Sequence, residues 1–115
     1  MAKFIAFFAF KPETIEAMVA HPSDRVDAIR RLVSRAGGTL ESYYWMQGPY
    51  DGFAIIEVPS AMEASAISLV ATASGAFVRL ETHELIEPGD MPPLLSRVAE
   101  LRQAYSAPGV TSATH

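Results

Sequence analysis

Apolar residues fall along the chain in short runs separated by glycine, proline and charge, and the spacing within each run predicts its geometry. Residues 3–10, KFIAFFAF, lack polar alternation, as in a strand covered on both faces and central in its sheet. Pro12 and Glu13 open a short helical turn through Met18. Asp24, with Asp27 three residues on, starts a longer helix in which Val26, Ile29, Leu32, Val33 and Ala36 recur at helical spacing. Arg30, Arg31 and Arg35 are left for solvent, and Gly37-Gly38 ends the helix. Residues 39–46, TLESYYWM, and 53–58, FAIIEV, are β-branched and aromatic, and the short connection from Gln47 to Gly52 predicts an antiparallel hairpin. Simple alternation sets Leu40, Tyr44 and Met46 on one face of the second strand and Tyr43 and Trp45 on the other. Pro59 closes the third strand, and Ser60 with Glu63 makes a capping box for an Ala- and Ser-rich helix to about Ala73, with Ile67, Leu69 and Val70 its larger apolar residues. After Gly75, residues 77–85 predict an edge strand with Phe77, Arg79, Glu81 and His83 on one face and Val78, Leu80, Thr82 and Glu84 on the other. A last helix begins near Pro92 or Pro93 and carries Leu94, Leu95, Val98 and Leu101.

The order β-α-β-β-α-β predicts an α+β fold of ferredoxin-like type, an antiparallel sheet with two helices on one face and an extra C-terminal helix. The expected domain spans residues 1–103, with 104–115 a flexible C-terminal tail. Two helices cover one face, yet the first strand is apolar on both sides. The expected cover is the sheet of a second copy, in a homodimer or higher homo-oligomer. The structural alternative is that the C-terminal helix shields part of that surface.

Composition narrows the partners. Half of the 115 residues are apolar and 19% are charged, enough for a core and against a disordered chain. A formal charge of −4 without a basic stripe argues against nucleic acid. The absence of cysteine removes thiol nucleophiles, disulfides and thiolate metal sites. The run from Phe4 to Phe10 meets Lys11-Pro12-Glu13 and reads as a strand, not a signal peptide, and no stretch is long enough to span a membrane, so the expected location is cytoplasmic. No dinucleotide, phosphate-loop, zincin or nucleophile-elbow motif occurs, and no cofactor is expected.

The segment Leu40-Glu41-Ser42-Tyr43-Tyr44-Trp45-Met46-Gln47-Gly48-Pro49-Tyr50-Asp51-Gly52-Phe53, followed by an apolar strand and Pro59, resembles the signature of the GYD-domain proteins. Arg30, Gly37-Gly38 and Ala71-Thr72-Ala73-Ser74-Gly75 fit the same resemblance, which covers roughly residues 3 to 92. It implies a small bacterial or archaeal protein similar in fold to the dimeric α+β barrels, with Gly48, Tyr50 and Asp51 in the namesake positions. It brings no established catalytic role. Distant groups with the same barrel are cofactor-independent oxygenases, haem-degrading enzymes or metabolite-binding regulatory domains, and fold alone is a weak warrant for any of these.

Candidate residues each carry two readings. Gly48, Pro49 and Asp51 serve hairpin geometry, with Asp51 accepting backbone N–H bonds, or Tyr50 and Asp51 point together into a ligand cavity. His83 shares a strand face with Arg79 and Glu81, and is either a solvated or interface histidine or, paired with Glu81, an acid or base. Tyr43 and Trp45, with Phe53 from the neighbouring strand, form an aromatic wall for a planar ligand or pack between subunits. The candidate pocket is therefore Tyr43, Trp45, Tyr50, Phe53, Arg79 and Glu81, and the candidate catalytic residues are His83 and Asp51. Glu41 and Glu57 could form a carboxylate pair, and Met62 and the other methionines are explained as core filler. His21 lies in a connection and His115 at the terminus, so the scattered histidines form no metal site. The function expected is that of a homo-oligomeric accessory or small-molecule-binding protein with a small apolar ligand. The alternative is a cofactor-independent oxygenase or isomerase acting on a small apolar or aromatic substrate.

Overall fold

The computed structural model describes residues 1–109, and its contacts divide the chain into Met1–Leu85 and a second unit from Ile86 onward. Of the expected tail, residues 110–115, His115 among them, lie outside the described residues. The first unit runs β1 (Ala2–Phe10), α1 (Pro12–Ala20), α2 (Arg25–Arg35), β2 (Thr39–Trp45), β3 (Gly52–Val58), α3 (Ala61–Ala73) and β4 (Phe77–Glu84). Its strands form one sheet in the order β2-β3-β1-β4 with every neighbouring pair antiparallel, a ferredoxin-like α+β arrangement with β1 inside and β4 at an edge. The second unit holds a 3₁₀ turn (Pro88–Asp90), α4 (Met91–Leu101) and a further 3₁₀ turn (Arg102–Ala104).

The helix starts come from the caps that the sequence predicts. Asp24 Oδ1 accepts the Asp27 N–H at 3.0 Å, and Ser60 Oγ accepts the Glu63 N–H at 3.4 Å. α1 extends two residues beyond Met18, and its first turn is tied down by Thr14 Oγ1 donating to the Ala76 carbonyl at 2.8 Å.

Two register shifts decide which side chains meet. One lies in β2 between Leu40 and Ser42, where Glu41 is the extra residue, and it puts Leu40 on the same face as Tyr43 and Trp45, with Tyr44 on the other. Simple alternation had grouped Leu40 with Tyr44. The other lies between Ala9 and Phe10, and pairs Phe10 with Phe77, so Phe77 leaves the face of Arg79, Glu81 and His83. The face under α2 and α3 thus carries Phe4, Phe8, Phe10, Ala54, Ile56 and Val58, all buried, which close on Val33 and Ala64. α3 approaches through Ala64, Ile67, Ser68 and Ala71, while Leu69 and Val70 turn outward. Met62, expected in the core, is 78% exposed, and Leu69 and Val70 are exposed with it.

Candidate functional site

Cross-strand rows explain where the space is. On the helix-covered face one row reads Trp45, Gly52, Phe8, Leu80, the next Tyr43, Ala54, Ala6, Thr82, and the third Leu40, Ile56, Phe4, Glu84. The middle row has alanine at both central positions, and α3 answers it with Ser68 and Ala71. Small residues facing small residues between rows of large ones leave a cavity of about 60 Å³. Phe8, Phe10 and Phe77 wall one end, with Phe10 stacked on Phe77 at 4.8 Å between ring centroids, and Ile29, Leu32 and Val33 of α2 roof it. Gly52 is required beside this wall, because a Cβ there would reach 2.6 Å from Phe8 Cζ and closer still to the Tyr44 carbonyl oxygen.

Few polar groups line the cavity. Ser68 Oγ and Thr82 Oγ1 satisfy each other at 2.9 Å. Arg25, the first residue of α2, and Tyr43 are the ionisable residues among the lining. Burial pushes the Tyr43 hydroxyl above the ordinary tyrosine range, and the positive charge of Arg25 opposes that shift without cancelling it, so the phenol stays protonated at neutral pH. Arg25 also borders an open groove of about 400 Å³ formed with Ile15, Met18, Val19, Pro22 and Trp45. Trp45 lines the groove, 52% exposed, with its ring 5.8 Å from that of Phe10 and 6.2 Å from that of Tyr43, two residues of the cavity lining.

The second face of the sheet carries a different set. Tyr44, Phe53, Phe7 and Glu81 form one row across all four strands, and Ile55, Ile5 and His83 the next. The Tyr50 hydroxyl donates to Glu81 Oε2 at 2.8 Å, and His83 Nε2 lies 3.7 Å from the same oxygen. Phe7 packs beside Tyr50 and His83, and the Arg79 guanidinium stands 5.9 Å from the centre of the Tyr50 ring. The bond from Tyr50 is the main reason the Glu81 carboxyl sits below its usual range, and the nearby His83 and Arg79 add to it. Farther along, Lys3 Nζ lies 3.0 Å from Glu41 and 3.7 Å from Glu57, so these two carboxylates share a cation.

The six residues of the expected pocket therefore divide between two faces. Tyr43 lines the cavity and Trp45, on the same face, lines the groove, whereas Phe53, Tyr50, Arg79 and Glu81 gather on the opposite side, because Phe53 pairs with Tyr44 and not with its neighbours. Tyr50 and Asp51 also diverge. Asp51 Oδ2 accepts the Phe10 N–H at 2.8 Å while its own N–H donates to the Phe8 carbonyl, so it holds the hairpin connection against the end of β1 at the register shift. Gly48 supports this connection with φ 116°, a conformation that side chains rarely adopt. Arg25 is the residue that the sequence reading left out. Its signal was present: it stands four residues before Ile29 and eight before Val33, on the apolar stripe of α2. Among the described residues no three His, Asp or Glu side chains gather as metal ligands, and no helix is long and apolar enough to cross a membrane.

The sequence profile of the GYD domain matches residues 4–95. The chain belongs to the GYD-domain family. The GYD signature thus supplies Gly48 and Asp51 to the connection and Tyr50 to the second face. No curated protein matches the sequence. Among solved structures, the C-terminal domain of the MgtC protein from Mycobacterium tuberculosis aligns at 10% identity and TM-score 0.50, over 74% of this chain and 88% of that one. The protein TTHA0845 from Thermus thermophilus aligns at 17% identity and TM-score 0.49, over 76% and 95%. A 5-chloro-2-hydroxyhydroquinone dehydrochlorinase from Burkholderia phenoliruptrix aligns at 13% identity and TM-score 0.45, over 76% and 96%. At these identities the likeness is one of fold.

Proposed function

We propose that this GYD-domain protein binds a small apolar ligand between its sheet and the helices α2 and α3, and associates with a second copy through the opposite sheet face. The observation that carries the first part is the cavity itself, a largely apolar space built by Ala6, Ala54, Ser68 and Ala71 with an arginine and a protonated phenol among its lining. Its enclosed volume of about 60 Å³ admits part of a single ring, with the remainder extending toward the groove beyond Arg25. Support for association comes from the second face, whose aromatic and aliphatic centre would otherwise meet water.

Toluene, followed by amide chemical shifts, tests the binding site. Shifts are expected at residues of α2, α3 and the row Tyr43, Ala54, Ala6, Thr82, and the Ala54→Val variant, which grows two methyl groups into the space, should lose them. Shifts confined to Phe7, Phe53 and Tyr44, or no shifts at all, would remove this reading.

A second reading, an enzyme handling an apolar or aromatic substrate without a cofactor, is favoured by the Tyr50, Glu81 and His83 cluster. In that version His83 is the proton acceptor and Glu81 orients it, while Asp51 is committed to the Phe10 N–H. It places the chemistry on the second face, so a His83→Gln variant that keeps full turnover of a substrate would sink it.

A further inference from the structure

Resting on the binding reading above, we infer that the ligand carries an anionic head, a carboxylate on a single aromatic ring, held by the Arg25 guanidinium and the Tyr43 hydroxyl while the ring enters between Phe8, Phe10 and Phe77. Three observations carry this. Arg25 is half-buried and lies at both the cavity and the groove, so it stands where a bound molecule passes from one to the other. No carboxylate of the described residues lies within ion-pair distance of it, although the protein's other guanidinium near a site, Arg79, stands beside Tyr50 and Glu81. Arg25 is also the charged group that acts on the Tyr43 hydroxyl, so the two act on the same space.

The chemistry follows from what each group lacks. A guanidinium partly removed from water against apolar walls gains most from an anion, and its planar fork matches a carboxylate in two parallel bonds. A neutral head group leaves that positive charge uncompensated. The Tyr43 phenol, kept protonated by its surroundings, is a donor and suits a carboxylate oxygen better than a cationic or donor-only group. The ring belongs on the other side of this pair, since the walls beyond Arg25 and Tyr43 are aromatic faces and edges with Ala6 and Ala54 as the floor.

Benzoate and its neutral isostere benzamide separate this inference from the reading it rests on. Trp45, the one tryptophan of the chain, reports on the site by fluorescence. Wild-type protein should bind benzoate at least tenfold more tightly than benzamide at low ionic strength. Arg25→Gln should abolish that preference, and Tyr43→Phe should weaken benzoate several-fold, both with far-UV circular dichroism unaltered. Equal affinities in the wild type, or a preference that survives Arg25→Gln, would overturn the anionic head while leaving toluene binding intact. If benzoate, benzamide and toluene all fail to bind, the cavity reading falls and the inference with it.

Discussion

Asp51 is a loop residue with a strand's task. The pairing of β1 with β3 stops at Phe8 and Gly52, so the Phe10 N–H lies beyond the start of β3, and the Asp51 carboxylate of the hairpin connection accepts it at 2.8 Å. Asp51→Ala should therefore cost about 1–3 kcal/mol in urea unfolding, while Asp51→Asn, which keeps an acceptor oxygen, should cost clearly less. Equal losses would mean that charge, not the acceptor, is what matters there. Tyr50, one residue earlier, makes a prediction about pH. Its bond lowers the Glu81 carboxyl, so the folded state holds this proton less tightly than the unfolded chain. The contribution is complete above the ordinary glutamate range and fades as pH falls through the lowered folded value. Glu81 is exposed, so the effect on stability is small and the direct readout is better. In a carbon-detected NMR titration Glu81 should titrate below the ordinary glutamate range, and Tyr50→Phe should move it back up.

Among the elements, order and ends were legible and faces were not. The strands, the helices and their boundaries follow from marks that act locally: Asp24 and Ser60 as caps, Pro59 after β3, the glycines after the helices. Which way a strand's side chains point depends on each residue before it, and a single unpaired residue reverses it. Glu41 does this in β2, and the shift at Ala9 and Phe10 does it for Phe77. Nothing in TLESYYW marks Glu41 as the extra residue, because its neighbours suit a strand equally well in either register. Tyr43, Trp45 and Phe53 were legible as aromatic strand residues, but the cross-strand register that pairs Phe53 with Tyr44, and so separates it from the other two, was not. The cavity was hidden for another reason: it arises from alanines on β1 and β3 that meet small residues on α3, a coincidence of three segments. It also permits a stability test. Ala54 is buried in a central strand with empty space before it, so Ala54→Val should raise stability by roughly 0.5–2 kcal/mol while blocking ligand entry. A loss of stability in thermal unfolding would show that the space is already filled by side-chain motion.

For the whole molecule, the decisive quantity is the area of the second sheet face. Strands of seven to nine residues, at about 3.3 Å per residue and about 4.8 Å between strands, give a flat footprint of roughly 500 Å². Two such faces in contact bury about 1,000 Å² before side-chain relief is added, which reaches the range of specific interfaces. Its centre, Ile5, Phe7, Phe53 and Ile55 with Tyr44 61% exposed beside them, is apolar, and its margins carry the Lys3, Glu41, Glu57 group on one side and Arg79, Glu81 and His83 on the other. An apolar centre within a charged rim is the anatomy of a subunit contact. A two-fold arrangement would set each copy's Phe53 and Ile55 against the partner's apolar centre, where a lysine ammonium could be buried only without a counter-charge. Sedimentation equilibrium should accordingly give at least twice the chain mass for the wild type. The double variant Phe53→Lys, Ile55→Lys should give the single-chain mass with its circular dichroism preserved, since neither side chain belongs to the core under α2 and α3. A wild type that sediments as one chain at millimolar concentration would leave this face without the proposed partner, although the cavity on the other side of the sheet would stand, because every residue lining it comes from one chain.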